Sequence, residues 1–321
     1  MNKLIAAALS CALLGASYAP QLMAAEKPAP SVHRYTTLKA WNTNSYWVET
    51  EKGIILIDAQ LLKSDAALLA DIIKGRGKPV LGVLITHPHP DHIGGLATLK
   101  DHLGELDIYA TEQTAEYFEQ TFAQFNQGTA KSFGDDAFTR LVKPTHVVKA
   151  GAVLKLGGTE FLMDDVGPSE AHNNTVVWHP DSNTLFTGDA TMHHNHFYTG
   201  EGHSQNALEA FHYLKKTYAD KNPMLMTGHG DPSRIQILDQ HIEYVSFMRE
   251  VTIEALKDPA NMMKDQPMMT REARRKVAEK VVARYPMMGD YGYPAAAIVS
   301  WSIFGIEREI QAESAAKMSA L

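Results

Sequence analysis

His87-Pro88-His89-Pro90-Asp91-His92 places four metal-capable side chains within six residues. Imidazole and carboxylate groups suit zinc, and other first-row metals can use them too. The stretch follows Val80-Leu81-Gly82-Val83-Leu84-Ile85-Thr86, a short β-branched apolar run preceded by Pro79, which reads as a buried strand. The candidate ligands therefore stand where a strand ends and a loop begins. Pro88 and Pro90 stiffen that loop, because each fixes its own φ and restricts the residue before it. His87 and His89 can then point the same way, with Asp91 and His92 in reach of a second centre. A solvated histidine-rich loop is the bland alternative, and the strand-end context argues against it.

Three further candidates occupy similar places. His172 lies in Pro168-Ser169-Glu170-Ala171-His172-Asn173-Asn174-Thr175, ahead of the strand-like Thr175-Val176-Val177-Trp178. Asp189 closes the run Thr184-Leu185-Phe186-Thr187-Gly188-Asp189. His229 sits in Leu225-Met226-Thr227-Gly228-His229-Gly230, where glycines permit a sharp turn. One such histidine would ordinarily be a surface or core residue. Four strand-end sites in one chain argue for a shared centre.

Taken together, these residues resemble the metallo-β-lactamase superfamily of hydrolases. The likeness runs from about Trp41 to Pro232 and consists of His87-x-His89-x-Asp91-His92, then His172, Asp189 and His229 in the family's order. It implies that His87, His89 and His172 bind one metal, that Asp91, His92 and His229 bind the other, and that Asp189 bridges them. It also implies an αββα sandwich with the metals at one edge. The acid-bridged pattern is similar to the glyoxalase II, lactonase and phosphodiesterase branches. It departs from single-domain β-lactamases, which place Cys where Asp189 stands, and from the flavodiiron branch, which has Glu where His89 stands.

Such a centre has a clear chemical use. A zinc-bound water has its pKa lowered to near 7, so hydroxide exists at neutral pH while the metals polarise a carbonyl and steady the leaving group. Asp91 is a candidate proton carrier. Asp58, ending Ile54-Ile55-Leu56-Ile57, is a candidate to orient an imidazole, with a plain turn-forming role as the alternative. Rival machinery is absent from the sequence. It contains no G-x-S-x-G elbow, no phosphate-binding P-loop and no dinucleotide fingerprint, and its single cysteine is Cys11.

Cys11 belongs to an N-terminal stretch with Lys3, an apolar core from Leu4 to Leu14 and small residues after it, which reads as a signal peptide over residues 1–25. A periplasmic or secreted location follows. No other stretch has the unbroken ~20 apolar residues needed to span a bilayer. The net charge of −7 lacks the basic footprint of a nucleic-acid binder, so a small-molecule substrate is expected.

The elements that must hold the site read as an α/β layered architecture, with a catalytic region over residues 26–234. Strands are expected over 35–50, 53–59, 80–86 and 107–110. Short antiparallel strands follow over 145–149, 153–156 and 160–163, and a hairpin over 175–179 and 184–187. Helices are expected over Ser64–Lys74, capped by Ser64, and over Gly94–Leu103 and Ser204–Tyr218. Residues 114–144 form an aromatic-rich insertion with a break at Asn126-Gln127-Gly128; it is either core packing or a lid over the metals. Residues 235–321 read as a helical C-terminal extension packed on the same domain, a cap or a homodimer surface, with a helix over Arg271–Tyr285. The methionine pairs there (262–263, 268–269, 287–288) read as adaptable packing. In the histidine-rich stretch 192–203, Tyr198 and His194 are candidates to face the substrate.

These observations describe an exported hydrolase with two zinc ions that opens a small ester-like or cyclic acyl substrate, foremost a lactone. β-Lactam hydrolysis is the alternative. A mononuclear iron oxygenase would leave His92 or Asp189 redundant, and a metal-binding protein without turnover is suggested only by the surplus histidines and methionines.

Overall fold

Ile54-Ile55-Leu56-Ile57 has no polar position because its strand is covered on both faces, and all four side chains are at most 1% exposed. Ile55 and Ile57 meet Tyr46, Val48, Phe161, Val177 and Phe186 between two sheets. Ile54 and Leu56 point the other way, against Leu69, Ile73, Leu96 and Leu99 of covering helices. Burying each such side chain is worth about 1.5–3 kcal/mol, so this strand fixes both interfaces at once. A computed structural model describes residues 30–286, 288–289 and 294–319. The expected signal peptide and Met287 lie outside the described residues.

The first sheet contains β1 (Ser31–Thr36), β2 (Asn44–Glu49), β3 (Ile54–Ile57), β4 (Val80–Leu84), β5 (Ile108–Thr111) and β6 (His146–Val148), in that spatial order. The first three pair antiparallel, and β3 to β6 run parallel. The second sheet contains β7 (Ala152–Leu156), β8 (Thr159–Gly167), β9 (Asn174–His179), β10 (Thr184–Met192), β11 (Met224–His229) and β12 (Ser233–Arg234), in reverse order across the sheet. On the outer face of the first sheet lie α1 (Lys63–Gly75), α2 (Pro90–Ile93) and α3 (Leu96–Leu103). Beyond β5 come α4 (Glu112–Glu116) and α5 (Phe118–Phe133). The second sheet is covered by α6 (Ser204–Tyr218), α7 (Ile237–Leu256), α8 (Arg271–Arg284) and α9 (Ala295–Ser319). This is the αββα sandwich that the family resemblance implied, together with the expected C-terminal helices.

Several local expectations need correction. The run 35–50 is not one strand: it breaks between β1 and β2, where Trp41 and Asn42 adopt positive φ. Ser64 does not cap α1; Leu62 occupies the N-cap, and Ser64 Oγ donates instead to Asp136 Oδ2 at 2.6 Å. Residues 146–148 pair parallel with β5 in the first sheet, whereas the expectation was an antiparallel set with β7 and β8. α5 runs through Gly128 without a break, since the helix flanks are long enough to absorb one poor helix former.

The C-terminal helices share one core with the second sheet, in which Val176, Leu185 and Leu225 pack with Phe211, Tyr244, Val277 and Ile303. Glu307 on α9 is fully buried, with Arg274 Nη1 donating to it at 3.0 Å and the Met269 amide as a further donor. Arg249 on α7 reaches Glu309 at 3.1 Å. Met269 is buried in this core, as the packing reading expects, whereas Met263 is 43% exposed.

Candidate metal centre

The sandwich places the candidate ligands at or beyond strand ends along one edge, except Asp189, which lies inside β10 three residues before its end. β4 leads through Ile85 and Thr86 to His87. His89 is the extended N-cap residue of α2, and Pro90 opens that helix, where its missing N–H costs nothing. The single turn that follows presents Asp91 and His92 together. From the other sheet, the β8–β9 loop supplies Glu170, β10 supplies Asp189 and β11 ends on His229. Asn44 Nδ2 and Tyr46 Oη both donate to the Thr227 carbonyl, at 2.9 and 2.7 Å, and so fasten β11 to β2.

Two clusters result, and each can offer one donor atom per residue within 4.8 Å of the rest. His87, His89, Glu170 and Asp189 form the first; Asp91, His92, Asp189 and His229 form the second. All seven residues are buried. In the first, Glu170 Oε2 lies 3.1 Å from His89 Nδ1 and 3.6 Å from His87 Nε2. In the second, His92 Nε2 lies 3.3 Å from Asp189 Oδ1, and His229 Nε2 lies 3.0 Å from Asp189 Oδ2 and 3.2 Å from Asp91 Oδ2. Asp189 belongs to both.

These residues fit metal ions on two grounds. His87 Nε2, His92 Nε2, Glu170 Oε2 and Asp189 Oδ1 are buried without a hydrogen-bond partner, a costly state that cations remove. The donor separations also match the ~3.3–3.6 Å edge of a tetrahedron built on bonds of about 2.0–2.2 Å. Without metal, burial pushes Glu170 up to about 7. Burial pulls His229 down, but Asp189 and Asp91 outweigh it and raise it to about 10. Burial raises Asp189 as well, yet His229, His92 and His87 hold it well below the carboxylate range. Metal uptake must therefore displace protons from the cluster.

His172, expected beside His87 and His89, is elsewhere; Glu170 stands in that place. Ser169 Oγ and the Ala171 amide both donate to Asn174 Oδ1, at 2.6 and 3.2 Å. That turn buries Glu170 toward the centre and carries His172 past it. The His172 side chain is 30% exposed, and its Nδ1 meets His203 Nε2 at 2.8 Å. His194 is likewise outside the site, exposed beside Asp231. The other expected residues, His87, His89, Asp91, His92, Asp189 and His229, are brought together.

Residues 38–229, more than half of the chain, match the family model for the metallo-beta-lactamase superfamily. The chain belongs to the metallo-beta-lactamase superfamily. Metallo-beta-lactamase IND-1 of Chryseobacterium indologenes is 28% identical over 210 residues, covering 63% of this chain and 79% of that protein. The hydroxyacylglutathione hydrolase of Yersinia pestis (strain Pestoides F) is 25% identical over 114 residues, 35% of this chain and 43% of the enzyme. The beta-lactamase domain protein of Burkholderia ambifaria shares the fold at a TM-score of 0.66 and 15% identity, covering 90% of this chain and 88% of that one.

In this superfamily member the imidazoles are oriented by buried partners. His92 Nδ1 lies 2.8 Å from Asp58 Oδ2, while the Thr86 amide and hydroxyl donate to the same carboxylate at 2.9 and 2.7 Å. Asp58 also adopts φ +60°, so it serves the turn and the ligand together. Asp58→Ala is expected to weaken metal binding about 10–100-fold, read by competition with a chromophoric chelator. Wild-type affinity would leave Asp58 with the turn alone. His229 Nδ1 lies 2.7 Å from the Trp41 carbonyl, Thr43 Oγ1 donates to Asp91 Oδ2 at 2.8 Å, and His89 Nε2 lies 2.9 Å from Glu201 Oε1. Sequence reasoning missed Glu170, Glu201, Trp41 and Thr43. Only Glu170 carried a signal, since it stands two residues before His172 in the loop already singled out.

A cavity of about 330 Å³ opens over the clusters. Its walls include Trp41, Phe125, Phe133, Ile298 and Trp301, with Asp91, Glu170, Asp189, Tyr198 and His229 among its polar lining. The aromatic insertion is thus divided: Phe118 is core, whereas Phe125 and Phe133 form a wall. Ile298 and Trp301 bring α9 into the same lining.

Proposed function

We propose that this protein is an exported, metal-dependent hydrolase that holds two zinc ions and opens a small neutral cyclic ester, a lactone. The carrying observation is that two clusters sharing Asp189 open into an apolar cavity whose described lining contains no lysine or arginine. Such walls favour an uncharged apolar body with one reactive polar group. Bound zinc ions would supply an acidified water and polarise a carbonyl.

The chain's own groups do the remainder. His87, His89 and Glu170 would hold one ion, Asp91, His92 and His229 the other, with Asp189 between them. Asp91, held by Thr43, borders the cavity and carries the proton to the leaving oxygen. Burial and the Glu170 and Glu201 carboxylates push Tyr198 upward, so its hydroxyl keeps its proton and can donate to a substrate carbonyl. The apolar walls exclude water from competing at that carbonyl.

β-Lactam hydrolysis is the second reading, favoured by the 210-residue likeness to IND-1. An iron oxygenase using one metal is disfavoured because His92 and Asp189 both present unpartnered buried atoms to the centre, so neither is spare.

The test is acid release by zinc-loaded protein with lactones, β-lactams, thioesters and simple esters, read with an indicator dye against a chelated control. Chelator-sensitive release from lactones is expected; release from β-lactams alone would replace the first reading by the second, and silence would remove both. Trp301→Ala should raise KM about tenfold with kcat little changed, because a wall removed from the reacting atoms binds substrate and transition state equally. A fall in kcat at constant KM would take Trp301 out of the binding wall.

A further inference from the structure

A third set of donors lies beside the two clusters, and of its members only Glu201, through the oxygen that meets His89, has a part in the chemistry above. One donor atom each from His172, Glu201 and His203 lies within 4.8 Å of the others. His172 comes from the loop after β8; Glu201 and His203 come from the segment between β10 and α6. His172 Nδ1 is 2.8 Å from His203 Nε2 and 3.6 Å from Glu201 Oε2. The Glu201 side chain is only 8% exposed; its Oε1 is engaged by His89, while Oε2 is buried with no hydrogen-bond partner.

We propose that His172, Glu201 and His203 bind a third divalent cation of the zinc class, separate from the dinuclear centre and joined to it through the Glu201 carboxylate. Two imidazoles and one carboxylate make a three-ligand set that leaves a fourth position for water. A shared proton between the two rings explains their contact but leaves Glu201 Oε2 stranded, at the cost of a buried unsatisfied acceptor. A cation engages all three lone pairs. The 2.8 Å ring contact is shorter than the ~3.3 Å edge of a zinc tetrahedron, so the rings must part slightly on binding. His172 has room to do so, being partly exposed, and that exposure also provides the entry path. Tyr117 packs against its ring at 5.0 Å and limits its orientation. Glu201 would then serve two tasks, orienting His89 with one oxygen and holding the third cation with the other.

The experiment is zinc binding by the full chain, stripped and then equilibrated over a series of buffered free-zinc concentrations, with bound zinc counted by elemental mass spectrometry. Three ions per chain are expected, the third filling last. His203→Ala should lose that third ion and keep two. His203→Gln, which preserves side-chain bulk and polarity, should do the same if alanine disturbs the loop. Saturation at two ions in the unaltered chain would overturn the proposal, as would three ions in both His203 variants. Half-buried His193 and exposed His194 are the rival holders of extra zinc, and loss of the third ion on replacing them, with His203 intact, would equally overturn it. The count needs no turnover, so it stands or falls apart from the lactone reading.

Discussion

Glu170→Gln is expected to lower turnover at least about 100-fold and to reduce metal in the first cluster, while His172→Ala keeps the two tightly held ions and loses less than about tenfold. Loss of groups that merely orient ligands typically costs 10–100-fold in metal affinity or activity, and losing a ligand should cost more. Glu170 Oε2 is buried, lacks a hydrogen-bond partner and faces both His87 and His89. Glutamine keeps the shape but offers a neutral oxygen, a much weaker partner for a dication. The variant should still fold. Burial already pushes the Glu170 carboxyl up to about 7, so the metal-free protein gains little from its charge. The distinguishing readout is therefore the rise in Tm on adding zinc, which should shrink in Glu170→Gln although the metal-free Tm is kept. Should His172→Ala empty the centre and Glu170→Gln leave it full, the side-chain placement in the β8–β9 loop would be refuted.

That comparison marks the limit of what the sequence made legible. The six-residue motif, Asp189 and His229 could be found because they end apolar runs, and strand ends on one edge of a sandwich must converge. The β8–β9 loop offers no such guide. Its direction is set by Ser169 and Ala171 bonding Asn174, so Glu170 and His172, two residues apart, go to different places. Glu201 was invisible for the same reason: it follows β10 by a stretch without periodicity and reaches His89 only through the tertiary fold. Trp41 contributes a backbone carbonyl to His229, and a carbonyl has no residue signature at all. Much of the strand pattern was legible, because β3 is an unbroken apolar run buried on both faces and β4, β9 and β10 each carry a short apolar core, whereas the two-residue β12 carries no pattern at all. His146–Val148 went to the other sheet since three residues carry too little pattern to choose a partner.

Gly228→Ala is the second large effect expected, and it arises from space alone. A Cβ at Gly228 would fall onto Asp189 Oδ1 and come within 2.9 Å of the Gly188 carbonyl carbon. Backbone on one side and the Asp189 carboxylate shared by the two clusters on the other leave nothing flexible to yield except Asp189. Its Oδ2 lies 3.8 Å from His87 Nε2 of the first cluster, and its Oδ1 and Oδ2 face His92 and His229 of the second at 3.3 and 3.0 Å, so moving it disturbs both clusters together. A displacement of about 1 Å at a reacting centre can cost about 100-fold in rate. Overpacking adds a stability loss of about 1–3 kcal/mol. Metal content per chain should fall in step with kcat, because the same carboxylate is shared. Gly230 differs in kind: it adopts φ +77°, and substitution there strains the backbone just after His229. If Gly228→Ala kept full metal and full turnover, Asp189 could not lie where it touches both clusters, and the bridge between them would be lost with it.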